Sequence, residues 1–333
     1  MPLVTIVVPC YNEQNTIGLL LEAVYRQTYP RSEMEVILAD GMSTDGTRAR
    51  VAEFQASHAD LAVHIVDNPR RIIPAALNCA LAAANGEIIV RLDAHSAPFP
   101  DYVARCVAAL EAGLGDNVGG VWEISPGREG WLARSIALAA SHRLGVGDAL
   151  YRYATQPASV DTVPFGAFCK STFDRLGWFD ETLLTNEDYE FNARLRLSGG
   201  RVWLDPAIRS QYFARPTLAA LARQYFRYGY WKRQMLRRYP STLRWRQALP
   251  PLFVVSLVVL ALAALFLPAA RWLLAAEVIF YLLVLLAGSV RPAGKAGDPR
   301  LLAGIPAAIA VMHLCWGGGF LLSLAGIRTG ASA

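Results

Sequence analysis

Asp93 and His95 stand two residues apart, directly behind the apolar run Ile88-Ile89-Val90-Arg91-Leu92. Gly86 and Pro98 bound the stretch, so it reads as a buried strand running through to His95. In an extended chain, residues two apart lie on one side, which puts a carboxylate and an imidazole together at the carboxyl end of the strand. In an α/β sheet that end is where ligands bind. One carboxylate with one imidazole suits a divalent cation of the Mn²⁺ or Mg²⁺ type. The plain alternative is a strand that ends in a polar turn, and the pair alone does not separate the two.

The elements needed to hold that strand end can be read around it. Residues 3–8 are rich in β-branched side chains and stop at Pro9, as a first buried strand would. Asn15 or Thr16 is placed to cap a helix that carries Ile17, Leu20, Leu21 and Val24 at helical spacing. Residues 36–39 form a second strand ending in Asp40-Gly41, and a helix follows from Thr47 with Val51 and Phe54 inward. Residues 62–66 form a third strand. A helix over 72–84 opens with Pro74 in its first turn and closes at Asn85-Gly86, ahead of a fourth strand over 87–92. Strict alternation of β and α implies parallel strands with crossover helices, an α/β class with a Rossmann-like, mostly parallel sheet. After residue 117 the rhythm breaks. Strands are expected over 118–124, 163–170 and 201–204, and helices over 131–150 and 187–197. The 131–150 helix reads equally as an amphipathic helix near a membrane or as an ordinary surface helix.

Composition points to the same division. The chain is 54% hydrophobic over 333 residues, with a mean hydropathy of +0.28, high for a wholly soluble protein. The excess lies in three apolar spans, 250–267, 272–290 and 301–324, the first two near the length a bilayer requires. The third is the weakest, interrupted by Pro306, His313 and Gly317-Gly318-Gly319. Charge is segregated too. Residues 1–200 carry 16 basic and 24 acidic side chains, whereas residues 201–246 carry 11 basic ones and a single acid, Asp205. A basic block just ahead of an apolar tail indicates a membrane surface, and the acidic N-terminal part excludes a nucleic-acid partner. Arg244 and Arg246 precede the first span, while Arg291, Lys295 and Arg300 fill the loop between the second and third. By the positive-inside rule the N-terminal part and the 291–300 loop are cytoplasmic, and an odd number of spans leaves Ala333 outside. The five cysteines are scattered without metal-type spacing, which excludes a disulfide framework and fits a reducing compartment. No signal peptide is visible.

Five motifs, in order, carry a resemblance. Pro9-Cys10-Tyr11-Asn12-Glu13 resembles the opening motif of family 2 glycosyltransferases, inverting enzymes of the GT-A fold. Asp40-Gly41-Met42-Ser43-Thr44-Asp45-Gly46-Thr47 resembles their second nucleotide-binding motif, with Ala39-Asp40 where the family often has two adjacent acids. Leu92-Asp93-Ala94-His95 takes the position of the family's D-x-D, with His for the last Asp. Asn186-Glu187-Asp188 resembles the acceptor-side Glu-Asp motif. Gln224-x-x-Arg227-Tyr228 resembles Q-x-x-R-W, with Tyr for Trp. The matches span residues 3 to 230, and the Asp-Ala-His variant ahead of an apolar tail is similar to the ExoA-type enzymes of succinoglycan and related exopolysaccharide assembly.

The resemblance implies a GT-A domain over 1–215, a basic aromatic interfacial segment over 216–248 and transmembrane helices over 249–326. It implies donor-nucleotide binding by Pro9, Tyr11, Glu13, Asp40, Ser43, Arg71 and Asp93, and a Mn²⁺ or Mg²⁺ ion on Asp93 and His95. Arg91, with Arg71, is expected either to add positive potential for the diphosphate or to pair on the surface. Asp188 is expected to be the catalytic base, with Glu187 positioning the acceptor. Gln224, Arg227 and Tyr228 are expected at the acceptor or its diphosphate. The implied activity is transfer from a nucleoside-diphosphate-sugar of the UDP type to a polyprenyl-diphosphate-linked saccharide. Its place would be the cytoplasmic face of a bacterial-type inner (cytoplasmic) membrane, alongside other polysaccharide-assembly proteins. The rivals are a processive polysaccharide synthase, for which so few spans build no pore, transfer directly to polyprenyl phosphate, and a non-catalytic scaffold.

Overall fold

The computed structural model describes residues 1–327, so the expectation for Ala333 lies outside the described residues. In chain order the first elements are β1 (Val4–Cys10), α1 (Ile17–Tyr25), β2 (Met34–Asp40), α2 (Thr47–Ser57), β3 (Ala62–Asp67), α3 (Ile73–Ala83) and β4 (Ile88–Arg91). β5 (Ala97–Pro98), α4 (Tyr102–Glu111), β6 (Asn117–Ser125), α5 (Trp131–Ser141), α6 (Arg143–Val146), β7 (Ala158–Ser159) and β8 (Ala167–Cys169) follow. The chain continues through α7 (Ser171–Leu176), α8 (Glu187–Leu197), β9 (Val202–Phe213) and α9 (Leu218–Arg238). It ends in α10 (Trp245–Ala263), α11 (Pro268–Ala296) and α12 (Leu301–Leu324).

The strands form one sheet in the order β3-β2-β1-β4-β8-β6-β9-β5, with β7 also on β9. β3, β2, β1 and β4 are parallel, as the βα alternation requires. β8 pairs antiparallel with β4 and β6, and β9 pairs antiparallel with β5 and β7. The sheet is therefore mixed, its Rossmann-like half parallel. β2 is buried throughout. One side chain set, Val4, Ile6 and Val8, packs with Ile17, Leu20, Leu21 and Val24 of α1 and Tyr102, Val103 and Cys106 of α4. α3 packs on the sheet through β1, β2 and β3, with Ala76, Leu77 and Ala80 buried. Each fully buried Leu, Ile or Val contributes about 1.5–3 kcal/mol relative to exposure.

Four expected elements come out differently. The strand ends at Arg91, and Asp93 to Ser96 is a turn closed by the Ser96 N–H on the Asp93 carbonyl at 2.9 Å. Asp93 and His95 thus sit on that turn rather than on extended chain. The 163–170 stretch keeps only β8, because Phe165 (φ 64°) and Gly166 (φ 99°) take left-handed conformations that a strand does not allow. The 131–150 helix divides at His142, whose extended backbone lets its Nδ1 accept from the Leu144 N–H and cap α6. β9 runs on past Pro206. β7 covers only Trp203 and Leu204 and β5 only Ser210 and Gln211, so the proline falls between two short partners.

The chain divides into two compact units, Met1–Glu123 with Tyr153–Tyr212, and Ile124–Arg152 with the chain from Phe213 onward. Within the second, α12 packs against α5, α9, α10 and α11. The glycines that weaken it on paper are where its neighbours come closest. A Cβ on Gly319 would lie 2.3 Å from the Phe226 carbonyl oxygen, and one on Gly317 would lie 2.5 Å from that of Pro250. His313 is hydrogen-bonded to the Tyr281 hydroxyl and the Leu144 carbonyl. The third apolar span is therefore an unbroken helix. α10, α11 and α12 are each long and apolar enough to cross a membrane. Helix α11 continues through Arg291 and Lys295 to Ala296, so the expected 291–300 loop is mostly helix.

Candidate active site

The parallel register aligns three strand ends, Cys10 with Asp40 and Asp40 with Asp67. Pro9 is in β1, and beyond it the backbone turns at Asn12 (φ 55°), leaving Tyr11 exposed at the edge. Gly41 lets the second strand end close against Tyr11, since a Cβ there would come within 3.1 Å of the Tyr11 ring. The first two motifs are bonded to each other. The Asn12 N–H donates to Ser43 Oγ at 2.8 Å, the Glu13 N–H to Thr47 Oγ1 at 2.8 Å, and the Thr44 N–H to Asn12 Oδ1 at 2.9 Å. Met42 (φ 61°) carries the strain of this turn. Non-glycine residues in that region persist where the surroundings over-determine them, and they cluster at functional sites. Arg71 (φ 57°) and Asn186 (φ 70°) belong to the same set, the first an expected site residue and the second the neighbour of one.

Asp40 is 2% exposed, and its carboxylate accepts from Ser43 Oγ at 2.5 Å and from Arg48 Nε at 2.6 Å. Arg48 also reaches Asp67 Oδ1 at 2.5 Å. Asp40 thus anchors the Ser43 turn and the start of α2. Asp67, whose side chain is 60% exposed, is the more open acid of the pair. Sequence reading passed over Arg48 and Asp67; the signal for Asp67 was its place at the end of the third parallel strand.

Asp93 and His95, on their turn, are half-buried. His95 Nδ1 lies 3.4 Å from Glu13 Oε1. Burial opposes ionisation of Glu13, but the contacts from His95 and Thr16 outweigh it and hold the carboxyl below its ordinary range. A carboxylate against Nδ1 favours the ring proton there, the tautomer in which Nε2 is the nitrogen that can serve as a metal ligand. Among the described residues no group of three or more His, Cys, Asp or Glu is arranged to hold a metal. The donor set therefore fits a cation that draws its remaining ligands from diphosphate oxygens and water.

On the other side of Asp93 the contacts continue. Arg91 Nη2 donates to Glu187 Oε1 at 2.8 Å and to Asp93 Oδ1 at 3.3 Å. Glu187 opens α8 after the left-handed Asn186 and is buried. Burial pushes its carboxyl up to about 7 against the pull of Arg91, with Asp188 and Asp93 adding to the rise. Asp188, the next residue, is half-buried, and its Oδ1 accepts from the Tyr189 N–H at 2.7 Å. Arg91 thus joins Asp93 to Glu187, while His95, on the same turn as Asp93, meets Glu13, all within the first unit. Arg71 is exposed. Gln224, Arg227 and Tyr228 stand on α9 in the second unit, where Gln224 Nε2 donates to the Tyr228 hydroxyl at 3.1 Å. On that helix Tyr225, Tyr230, Trp231 and Lys232 are buried, so much of the basic aromatic segment is engaged in packing.

Comparison with known proteins identifies the family and the fold. The family model described as glycosyl transferase family 2 matches residues 5–177. The succinoglycan biosynthesis protein ExoA of Rhizobium meliloti (strain 1021) is 31% identical, over 97% of this chain and 95% of that one. The dolichyl N-acetyl-alpha-D-glucosaminyl phosphate 3-beta-D-2,3-diacetamido-2,3-dideoxy-beta-D-glucuronosyltransferase of Methanococcus voltae is 25% identical, over 97% and 98%. Among solved structures, the mannosyltransferase PcManGT of Pyrobaculum calidifontis, in complex with GDP-Man and Mn²⁺, superposes with a TM-score of 0.66 at 25% identity. That match covers 93% of this chain and 87% of that one. The mixed sheet, the strand-end acids and these likenesses converge: the chain belongs to glycosyl transferase family 2 and is a GT-A-fold glycosyltransferase.

Proposed function

We propose that this glycosyltransferase is held in a bacterial-type cytoplasmic membrane by α10, α11 and α12, with its catalytic domain on the cytoplasmic side. There it moves one sugar from a nucleoside-diphosphate donor to a polyprenyl-diphosphate-linked saccharide and inverts the anomeric centre. The observation that carries the reading is the set of contacts flanking the turn that starts at Asp93: Glu13 with His95 on one side, and Arg91 with Asp93 and Glu187 on the other, with Asp188 next to Glu187. The relatives named above support the lipid-linked acceptor, since one bears a dolichyl phosphate acceptor in its name and another belongs to succinoglycan assembly.

In this mechanism Tyr11 offers a flat face to the base, and the open Asp67 and the Asn12–Ser43 turn line the nucleotide. Asp93 and His95 would hold a divalent cation, which when bound neutralises charge developing on the departing diphosphate. Asp188 accepts the proton of the acceptor hydroxyl as that oxygen attacks the anomeric carbon in line. One displacement without a covalent enzyme intermediate inverts the centre. Glu187, buried and bonded to Arg91, is withheld from that proton path.

The test uses membranes carrying the full chain, incubated separately with radiolabelled UDP-glucose, UDP-galactose, UDP-N-acetylglucosamine and GDP-mannose. One donor should label extractable polyprenyl lipid. EDTA should abolish the labelling, and Mn²⁺ should restore it better than Mg²⁺, because imidazole suits transition metals. Undiminished labelling after exhaustive chelation would remove the cation from the mechanism. Label found only in non-extractable polymer would favour a processive synthase.

A further inference from the structure

Arg91 is the last residue of β4, level with Val7 on β1, and is 6% exposed. A cation so deeply buried is tolerated only where it is paired, because desolvation penalises it heavily. A low-energy pairing for arginine would be a two-pronged fork on one carboxylate. Here a single nitrogen, Nη2, serves two carboxylates from distant parts of the chain, Asp93 and Glu187. Nε and Nη1 are buried without hydrogen-bond partners. The guanidinium is therefore placed where it joins two acids rather than where its own donors are best satisfied.

Asp93 begins the turn closed by Ser96, and Glu187 opens α8 directly after the left-handed Asn186. Neither acid is in a strand, so no sheet ladder fixes the spacing between them. Arg91, anchored at the end of a central strand, supplies a fixed point common to both.

We infer that Arg91 is a positioning residue, its Nη2 tying the first turn of α8 to the Asp93 turn so that Asp188 meets the acceptor hydroxyl in register with the donor diphosphate. The inference rests on the reading of Asp188 as the base. It departs from the expectation that Arg91 lends charge to the diphosphate, since that charge is already engaged by two carboxylates. Misplacement of a catalytic group by about 1 Å costs on the order of a hundredfold in rate. The Asp93 turn keeps its own closure by Ser96, so the loss should fall on kcat far more than on the donor KM.

The experiment compares Arg91→Lys, Arg91→Met, Glu187→Met and the Arg91→Met/Glu187→Met double variant in the full chain, using the donor that labels lipid in the wild type. Removing the arginine alone strands a buried carboxylate and endangers folding, whereas the double variant replaces a buried ion pair by apolar side chains, a change proteins commonly tolerate. Folding is read from the thermal midpoint in detergent and from binding of UDP or GDP with Mn²⁺. The double variant should fold and bind nucleotide but transfer roughly a hundredfold more slowly. Its loss should match that of Glu187→Met alone, because both cut one link. Arg91→Lys should recover part of the rate with the donor KM within about threefold, as an ammonium is a point charge where the guanidinium is a fork. A folded double variant with transfer near the wild-type rate would overturn the inference, as would losses that multiply. Should the Met variants fail to fold, a Lys variant of normal kcat overturns it and one of reduced kcat at unchanged KM supports it. Asp188→Asn, run alongside, separates the two readings. Full activity there overturns the base assignment and this inference with it, whereas a large loss there beside an active double variant overturns this inference alone.

Discussion

Glu187 and Asp188 are neighbours in one helical turn, yet their surroundings part them. Glu187 is buried against Arg91, and its carboxyl rises to about 7 because burial and the nearby Asp188 and Asp93 outweigh the arginine. Asp188 is half-buried, and its Oδ1 accepts from the adjacent Tyr189 N–H in the first turn of α8. In the proposed mechanism the more open Asp188 is the base, and Glu187 stays engaged by Arg91. Asp188→Asn should therefore lower transfer by at least about a hundredfold while leaving nucleotide affinity unchanged. Glu187→Gln should do less harm, because an amide oxygen can still accept from Arg91 Nη2. Asp93→Asn should weaken both nucleotide affinity and turnover. Transfer rates and UDP or GDP affinity for the three variants decide it, and near-normal transfer by Asp188→Asn would move the base elsewhere. At this scale the acids themselves were legible, since motif residues follow strand ends. Their partners were not. Arg91 to Glu187 and Glu13 to His95 are pairings across long stretches of chain, and an arginine inside an apolar run shows only that some buried acid must meet it.

Elements were legible where a period runs unbroken. β1 to β4 and their helices fall within a few residues of the pattern, because buried parallel strands are apolar runs and their helices are amphipathic. The pattern failed where backbone conformation, not hydrophobicity, decides, at Phe165 and Gly166 and at His142. It also failed to value glycine in an apolar helix. Glycine there lowers helix propensity, but between packed helices it lets backbones approach, and α9 and α12 use it on both sides. A Cβ on Gly229 would lie 1.9 Å from the Trp316 carbonyl oxygen, while Gly318 has nothing within 4 Å. Gly229→Ala should therefore lower the thermal midpoint of the detergent-solubilised protein, by the roughly 1–3 kcal/mol of an overpacked contact. Gly318→Ala should leave it level or raise it slightly, since alanine is the better helix former by about 0.5–1 kcal/mol. Equal behaviour of the two would mean that the close approach of α9 and α12 does not occur.

Over the whole molecule the informative quantity is where positive charge lies along the chain. Helix α11 has 29 residues. At about 1.5 Å per residue it measures some 43 Å, against a hydrocarbon core of about 30 Å. Its ends must project, which reconciles a helix running to Ala296 with an apolar stretch that stops at Val290. Arg291 and Lys295 then lie beyond the core at the carboxyl end, followed by Arg300, which is paired with Asp298. At the amino end the one cation is Arg271, and its Nε donates to the Ala264 carbonyl at 2.8 Å, satisfying the end of α10. Arg244 and Arg246, at the amino end of α10, both pair with Asp148. That pairing does not weaken the argument, because orientation follows the count of Lys and Arg near each span and acids contribute little. Three cations at or beyond the carboxyl end of α11 and two at the amino end of α10, against Arg271 beside the short connection between the helices, support the proposal that this connection lies outside and both flanks in the cytoplasm. Reporters inserted at Ala270 and at Gly294 in the full chain should therefore report opposite sides, with Gly294 cytoplasmic. Converting Arg291, Lys295 and Arg300 to Gln should erode that preference, because the asymmetry then rests on the basic residues ahead of and at the start of α10. Reporters that place Ala270 and Gly294 on one side would mean that α11 does not cross, and the anchoring scheme would then fail at its longest helix.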